Sequence, residues 1–501
     1  MAKPWNGATR MLMVSSLGSL CCLSGCSSLP AVGPNYAAPG VADILPSERW
    51  QAALPHEGQG HALLDWWQGF SDPVLSELLK RAEADSPTLA EAVARIDEAR
   101  AGMTAAGAAG WPAVSIGAHA LRNNGSAEFP MPAQTTRGST IDAQWELDLF
   151  GRVRRGNEAA AARLESRERG WHAARISLAA EVASKYVIYR ACQLTLRAVA
   201  ADVGSREESA RITAIAAKAG ISAPADAQLA RAGAAEATAL QAGQQAACAI
   251  TRKALVTLTG IPENELLPLL QRAPPVDTLP TPAAFAVDSL PVALLAQRPD
   301  LAAVERELAA ASADIGIAAA NRYPRLALLG NLTRDKSTLG DGPTVVSSPW
   351  TFGPTLSLPL LDGGALAAQQ DAARARHAQA LARYRQAVRS AVEEVEGVLV
   401  NLDAARIRNE QAKIATTGFK AYFTAAEQNW RAGGISLLAL EEARRSASAA
   451  ERNEIALLRD RVLHWIALYK ALGGGWQAAA APALDMPETN VAALNSAGEQ
   501  P

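Results

Sequence analysis

One interval recurs along this chain and limits what it can fold into. Trp111-Pro112 opens a strand-like run, and Tyr323-Pro324 opens another 212 residues later. Leu149-Phe150-Gly151 is matched by Leu361-Asp362-Gly363 at the same interval, and Gly220-Ile221-Ser222 by Gly434-Ile435-Ser436 at 214. Leu258-Thr259-Gly260 precedes the Leu472-Gly473 pair by 213 or 214 residues. A single offset at four places marks an internal duplication. The two units run over 65–280 and 285–476, and each must build the same set of elements. Each reads helix, strand, loop, strand, long helix, turn, long helix. The first predicts strands near 112–122 and 138–149 and helices near 153–219 and 225–258. The second predicts strands near 324–333 and 350–360 and helices near 365–432 and 436–472.

The helices are long. No proline interrupts Leu360 to Ala481, and residues 365–432 abound in Ala, Arg, Gln, Glu and Leu, all good helix formers. At 1.5 Å per residue this is a rod of roughly 100 Å. Gly433-Gly434 breaks it, and Gly473-Gly474-Gly475 stops the returning helix. Such helices are held mainly by packing. A free-standing coiled coil needs a sustained a/d repeat, and no strict leucine heptad is present. Alanine-rich stripes instead favour helices packed on both flanks into a tube.

The strand segments alternate with period two. Ile141, Ala143, Trp145, Leu147 and Leu149 share one face, while Asp142, Gln144, Glu146 and Asp148 share the other. An apolar outside and a charged lumen within about ten residues is the pattern of a transmembrane β-strand. Trp350, Phe352, Leu356, Leu358 and Leu360 alternate in the same way, as do Val114, Ile116, Ala118 and Ala120. The 326–333 run is less regular, with Leu329 on the face of Asn331. Four strands leave two open edges, which lipid does not tolerate, and are too few to enclose a lumen. Closure then requires further copies of the chain.

The amino-terminal residues read as an address. Lys3 and Arg10 precede an apolar run, Met11 to Leu23, too short for a permanent membrane helix. Leu23-Ser24-Gly25-Cys26 follows, so 1–25 is the expected signal peptide and Cys26 the expected lipidation site. Diacylglycerol and N-acyl groups would be the only non-protein component, and no cofactor or metal is expected. Ser27 after the cysteine favours the outer membrane. Residues 26–64, rich in Pro, Gly and Ser, read as a tether, and 477–501 as a flexible tail. A formal net charge of −2 gives no basic field for nucleic acid.

The chain lacks the sequence signatures of a phosphate loop, an HExxH zinc site, a paired CxxC or a GxSxG elbow. Its six histidines are scattered. The reading is therefore a conduit and not an enzyme. Cys192 and Cys248 lie at similar distances from the turn near Ile221. Two small buried thiols are the expected state, and a disulfide the alternative.

Several words, taken in order, carry a resemblance. They are Val32-Gly33-Pro34-Asn35-Tyr36, Trp66-Trp67 with Phe70-Ser71-Asp72-Pro73, Trp145-Glu146-Leu147-Asp148-Leu149-Phe150-Gly151-Arg152, Gln297-Arg298-Pro299-Asp300-Leu301, and Leu468 to Trp476. The chain resembles the TolC-type outer membrane efflux proteins, in the lipoprotein branch that includes OprM and the NodT-like factors. The resemblance implies a mainly α fold with a β-barrel portion. Four strands per chain would contribute to a trimeric 12-stranded barrel, above a periplasmic α-helical barrel and an equatorial α/β collar. It implies a passive homotrimeric duct in the outer membrane, working with a periplasmic adaptor and an inner-membrane RND-type transporter. It places a gate at the helix tips, with Leu438 and Glu442 ringing the aperture, Arg445 tying the tip to its neighbour and Asp226 in the first tip. Relatives carry Asp where Glu442 stands. Glu441 and Arg444 belong to the same charged cluster. A type I secretion duct and a pore-less periplasmic lipoprotein are the alternatives.

Overall fold

A computed structural model describes residues 31–40, 44, 50–52, 63–124, 131–274, 279–282 and 297–476. The signal segment, Cys26, most of 26–64, the start of the second unit and the tail 477–501 lie outside the described residues. A 3-10 helix, Leu63–Phe70, is followed by α1 (Pro73–Asp85), α2 (Pro87–Ala108), β1 (Ala113–Asn123) and β2 (Gln134–Leu147). Next come α3 (Arg152–Lys218), α4 (Pro224–Thr259), α5 (Glu263–Gln271) and α6 (Pro299–Ala320). The chain ends with β3 (Arg325–Leu339), β4 (Thr344–Ser347), β5 (Trp350–Ser357), α7 (Ala365–Arg431) and α8 (Leu437–Ala471).

The duplication is visible in element lengths. α3 and α7 have 67 residues each, and α4 and α8 have 36 and 35. Both long helices start after a left-handed glycine, Gly151 at φ 83° and Gly364 at φ 88°. An aspartate precedes each start. Asp148 accepts from the Arg154 amide at 2.9 Å, and Asp362 from the amides of Gly364 and Leu366 at 2.9 and 2.8 Å. These carboxylates satisfy amides that have no partner inside the helix. Gly220 and Gly433, at φ 72° and 77°, turn each chain back on itself.

Each turn closes an antiparallel hairpin, α3 with α4 and α7 with α8. α6 lies against both α3 and α7, and α8 also packs on α3. The sheet sits at one end of these rods. β1 pairs with β2, β2 with β3, and β3 with both β4 and β5, all antiparallel. β4 and β5 form one strand interrupted at Pro349, whose carbonyl accepts from Thr333 at 3.0 Å. All four junctions between sheet and helices lie on the same side of the sheet.

The main core lies around the middle of the long helices, where the collar words of the sequence meet. Trp66 stacks on Tyr469 with centroids 4.9 Å apart and meets Phe70 edge-on at 5.2 Å. Asp72 caps α1 by accepting from the Val74 and Leu75 amides, with Pro73 in the first turn. Its second oxygen accepts from the Tyr186 hydroxyl at 2.6 Å. Burial, and then this hydrogen bond, push the Tyr186 phenol up, so it stays a donor. Arg190, fully buried beside it, donates to Tyr186 at 3.1 Å and to the Pro274 carbonyl at 2.8 Å.

A second tie lies within the second unit, joining the start of α6 to α7 and to the end of α8. Arg298 precedes α6 and pairs with Asp300 at 2.8 Å and Glu394 at 2.9 Å. It also donates to the Ala471 carbonyl at 2.8 Å, at the end of α8. The glycine run beyond α8 follows from this closeness. A Cβ on Gly473 would stand 2.4 Å from the Gln297 carbonyl oxygen, at φ +81°. The described part of the amino-terminal segment is held against the helices. Val32 donates to Phe150 at 3.0 Å, and Arg155 donates to Asn35 at 2.8 Å. Tyr36 hydrogen-bonds Glu305.

Candidate functional site

Two regions hold the residues expected from the sequence to matter for conduction: the faces of the sheet and the tips of the hairpins. The register separates the faces. Ile116, Ile141, Leu332 and Trp350 are successive cross-strand partners in one row. Val114, Ala143, Gly330 and Phe352 form the next, and Trp145, Leu328 and Pro354 the third. This apolar face is open, with Ile116 77% and Trp350 73% exposed. The other face is polar and internally hydrogen-bonded. Asn331 donates to Asp142 at 2.6 Å, and the hydroxyls of Thr140 and Thr333 lie 3.1 Å apart. Gln144 pairs with Leu329, which stands on this face opposite Gly353.

Asp142, Gln144 and Glu146 thus share the polar face. Asp148 does not belong with them. The sequence pattern carried the strand to residue 149, but β2 ends at Leu147. The reason is the cap on α3: Asp148 turns to the Arg154 amide and the chain leaves the sheet. Glu146 is also engaged, accepting two 2.8 Å hydrogen bonds from Arg152. It braces the junction between barrel strand and helix. Trp145 donates to the Gly110 carbonyl at 2.9 Å and anchors the entry to β1.

At the tips, Leu437, Leu440 and Ala443 of α8 pack with Ala426 of α7 and Ala230 of α4. Leu438, Glu442 and Arg445 point away from this core. Leu438 is 64% exposed. Glu442 and Arg445 are also exposed, and neither makes a hydrogen bond or ion pair among the described residues. Asp226 sits in the first turn of α4, whose cap is Ala223, and is half-buried.

The paired charges at the tip are different ones. Glu441 and Arg444 are buried, at 8% and 2% exposure, and pair with each other. Arg206 of α3 reaches Glu441 at 3.3 Å and Asp202 at 3.0 Å. Arg444 donates to Ser209 of α3 at 2.8 Å and lies 5.4 Å over the Phe423 ring. Gly233 of α4 leaves room for the bridge, since a Cβ there would come 3.3 Å from Arg206. Five polar side chains therefore latch the second hairpin to the first. Glu441 and Arg444 belong to the cluster expected from the sequence, whereas Asp202, Arg206 and Ser209 do not. The Asp202–Arg206 spacing of one helical turn was the available signal.

The cysteines also require a correction. Cys192 and Cys248, expected as two free buried thiols, form a disulfide with Cα atoms 5.6 Å apart. The equal distances from the turn bring them level on α3 and α4, and antiparallel packing brings the two backbones within bridging reach.

A sheet with one lipid-compatible face, mounted on long helical hairpins, defines an outer membrane channel subunit. The comparisons agree. Nodulation protein T of Rhizobium leguminosarum bv. trifolii is 29% identical over 471 residues, covering 91% of this chain and 95% of that protein. The pyoverdine export outer membrane protein OpmQ of Pseudomonas putida is 29% identical over 475 residues, covering 90% of this chain and 96% of its own. The crystal structure of a membrane protein from Pseudomonas aeruginosa, 27% identical, superposes with a TM-score of 0.77, covering 89% of this chain and 100% of that one. Residues 78–261 and 290–474 match the outer membrane efflux protein family, and the chain belongs to it. It is an outer membrane channel component of efflux machinery with a TolC-like fold.

Proposed function

We propose that this chain is the homotrimeric exit duct of a tripartite pump, passing small toxic compounds received from an RND-type transporter through a periplasmic adaptor. The observation that carries this reading is the unfinished sheet. β1 forms one edge and β4 with β5 the other, and the apolar face runs between them. Three copies, joining β1 of one to the β4–β5 edge of the next, close twelve strands and leave no edge in lipid. Asp142 and Gln144 then face the lumen. The names of relatives such as the pyoverdine exporter support small-molecule cargo. Lipid on Cys26 would hold the amino terminus in the same membrane. The duct carries no catalytic step.

The gate in this reading has two layers. Leu438, Glu442 and Arg445, exposed at the tip of the protomer, form rings when three copies converge. A leucine ring dewets and a carboxylate ring favours cations. Behind them, the Arg206–Glu441–Arg444–Ser209 latch holds the second hairpin against the first. Opening requires that this latch yield. Single-channel recording in planar bilayers tests it. The paired variant E441Q/R444M should raise open probability well above wild type, and Leu438→Ala should widen the closed-state leak. Unchanged currents in both variants would remove the gate from the tips. A wild-type protein that never conducts would remove the channel itself.

A further inference from the structure

Arg122, Arg137, Arg334 and Lys336 project from the same face of the sheet as the apolar rows. Their positions follow from the register. Ser139 and Arg334 are partners one row beyond Ile141 and Leu332. Arg137 and Lys336 are partners in the next row, flanked by Ala120 and Val346. Arg122 follows opposite Thr135. All four side chains are exposed, and none makes a hydrogen bond or ion pair among the described residues. The carboxylate at this height, Asp335, stands on the opposite face, 3.3 Å from His119.

This arrangement has a cost that nothing among the described residues offsets. Like charges directly opposite across two strands are destabilising. Arg137 and Lys336 are such a pair, with Arg334 two residues further along the same face. A neighbouring copy does not relieve it. The pair lies on β2 and β3, the inner strands, whereas other copies would join at β1 and at the β4–β5 edge. The outward face of the inner strands stays open to whatever surrounds the barrel.

What surrounds it follows from position. Every strand end that leads to a helix lies at the opposite end of the sheet from these cations. The helices extend into the periplasm, so the cation rows lie where the apolar band meets the outer leaflet. That leaflet in a diderm envelope carries phosphorylated glycolipid. We propose that Arg122, Arg137, Arg334 and Lys336 form a binding site for the phosphate groups of an outer-leaflet glycolipid, whose acyl chains lie on the apolar rows below. Guanidinium groups suit phosphate oxygens in paired, charge-assisted hydrogen bonds. Long arginine and lysine stems can lie along apolar surface while the charged heads reach the headgroup level. The proposal rests on the channel reading given above, because only a closed barrel puts this face in lipid.

The test uses the full-length protein purified in detergent and titrated with bis-phosphorylated lipid A, with retention read by native mass spectrometry. Wild type should retain the lipid, and R137Q/R334Q/K336Q should retain it on the order of a hundredfold less. Lipid A stripped of phosphate, and phosphatidylglycerol, should bind wild type no better than lipid A binds the variant. Both proteins should conduct equally in planar bilayers, since the substitutions lie outside lumen and gate. Equal retention of lipid A by variant and wild type would overturn the proposal. So would phosphatidylglycerol binding as well as lipid A, which would make the patch a general anion surface. If both proteins conduct, those results leave the channel reading standing. Loss of conduction in wild type itself overturns both.

Discussion

Arg444 shows what a buried charge does at a helix tip. It is 2% exposed, beyond the reach of solvent screening, and its charge is met by Glu441 while Ser209 and the Phe423 ring complete its surroundings. Removing one member strands the other in a dry site. Replacing Arg444 alone with Met should therefore cost about 3–5 kcal/mol in the stability of the periplasmic part, whereas E441Q/R444M should cost clearly less. Thermal unfolding of the two variants checks the order. Gly473 is constrained by backbone alone. At φ +81° with the Gln297 carbonyl 2.4 Å from any Cβ, Gly473→Ala should lower stability by about 1–3 kcal/mol and loosen the end of α8. Calorimetry reads the first effect and hydrogen exchange near Leu468–Leu472 the second.

At the scale of elements, the two hairpins are copies in length and turn but not in restraint. α3 and α4 are joined by Cys192–Cys248, closing a 56-residue loop. Among the described residues, α7 and α8 have no such bond. Under reducing conditions the first hairpin should lose about 2–4 kcal/mol of stability while the second is unchanged. Segment-resolved hydrogen exchange with and without reductant separates the two. Equal loosening of both would contradict the account. Element types were legible in the sequence because periods of 3.6 and 2 reflect which side is buried. Where strands end was not, because that depends on capping. Asp148 alternates correctly for a lumen residue, yet the Arg154 amide claims it. The tip was legible by its glycines and charges. Which charges are buried was not, because Arg206 and Ser209 lie more than 200 residues from Glu441 and Arg444 and meet them only once α8 packs on α3.

The molecule as a whole is built around what one copy lacks. Its collar is complete, with Trp66, Phe70, Tyr186 and Tyr469 buried among the helices. Its sheet is not: an apolar face lies open and both edges are unpaired among the described residues. The duplication supplies two hairpins per copy and therefore an even strand number on closure. The open edges that call for self-association were legible from four alternating strands, because lipid forbids such edges whatever the loops do. The geometry of the proposed gate was not, since convergence at the tips would be a property of several copies. The most direct measurement is the mass of the purified full-length protein in detergent, by native mass spectrometry or light scattering corrected for bound detergent. The account predicts three copies per particle, in an assembly that stays together until heated. A particle of one copy, soluble without detergent, would contradict it.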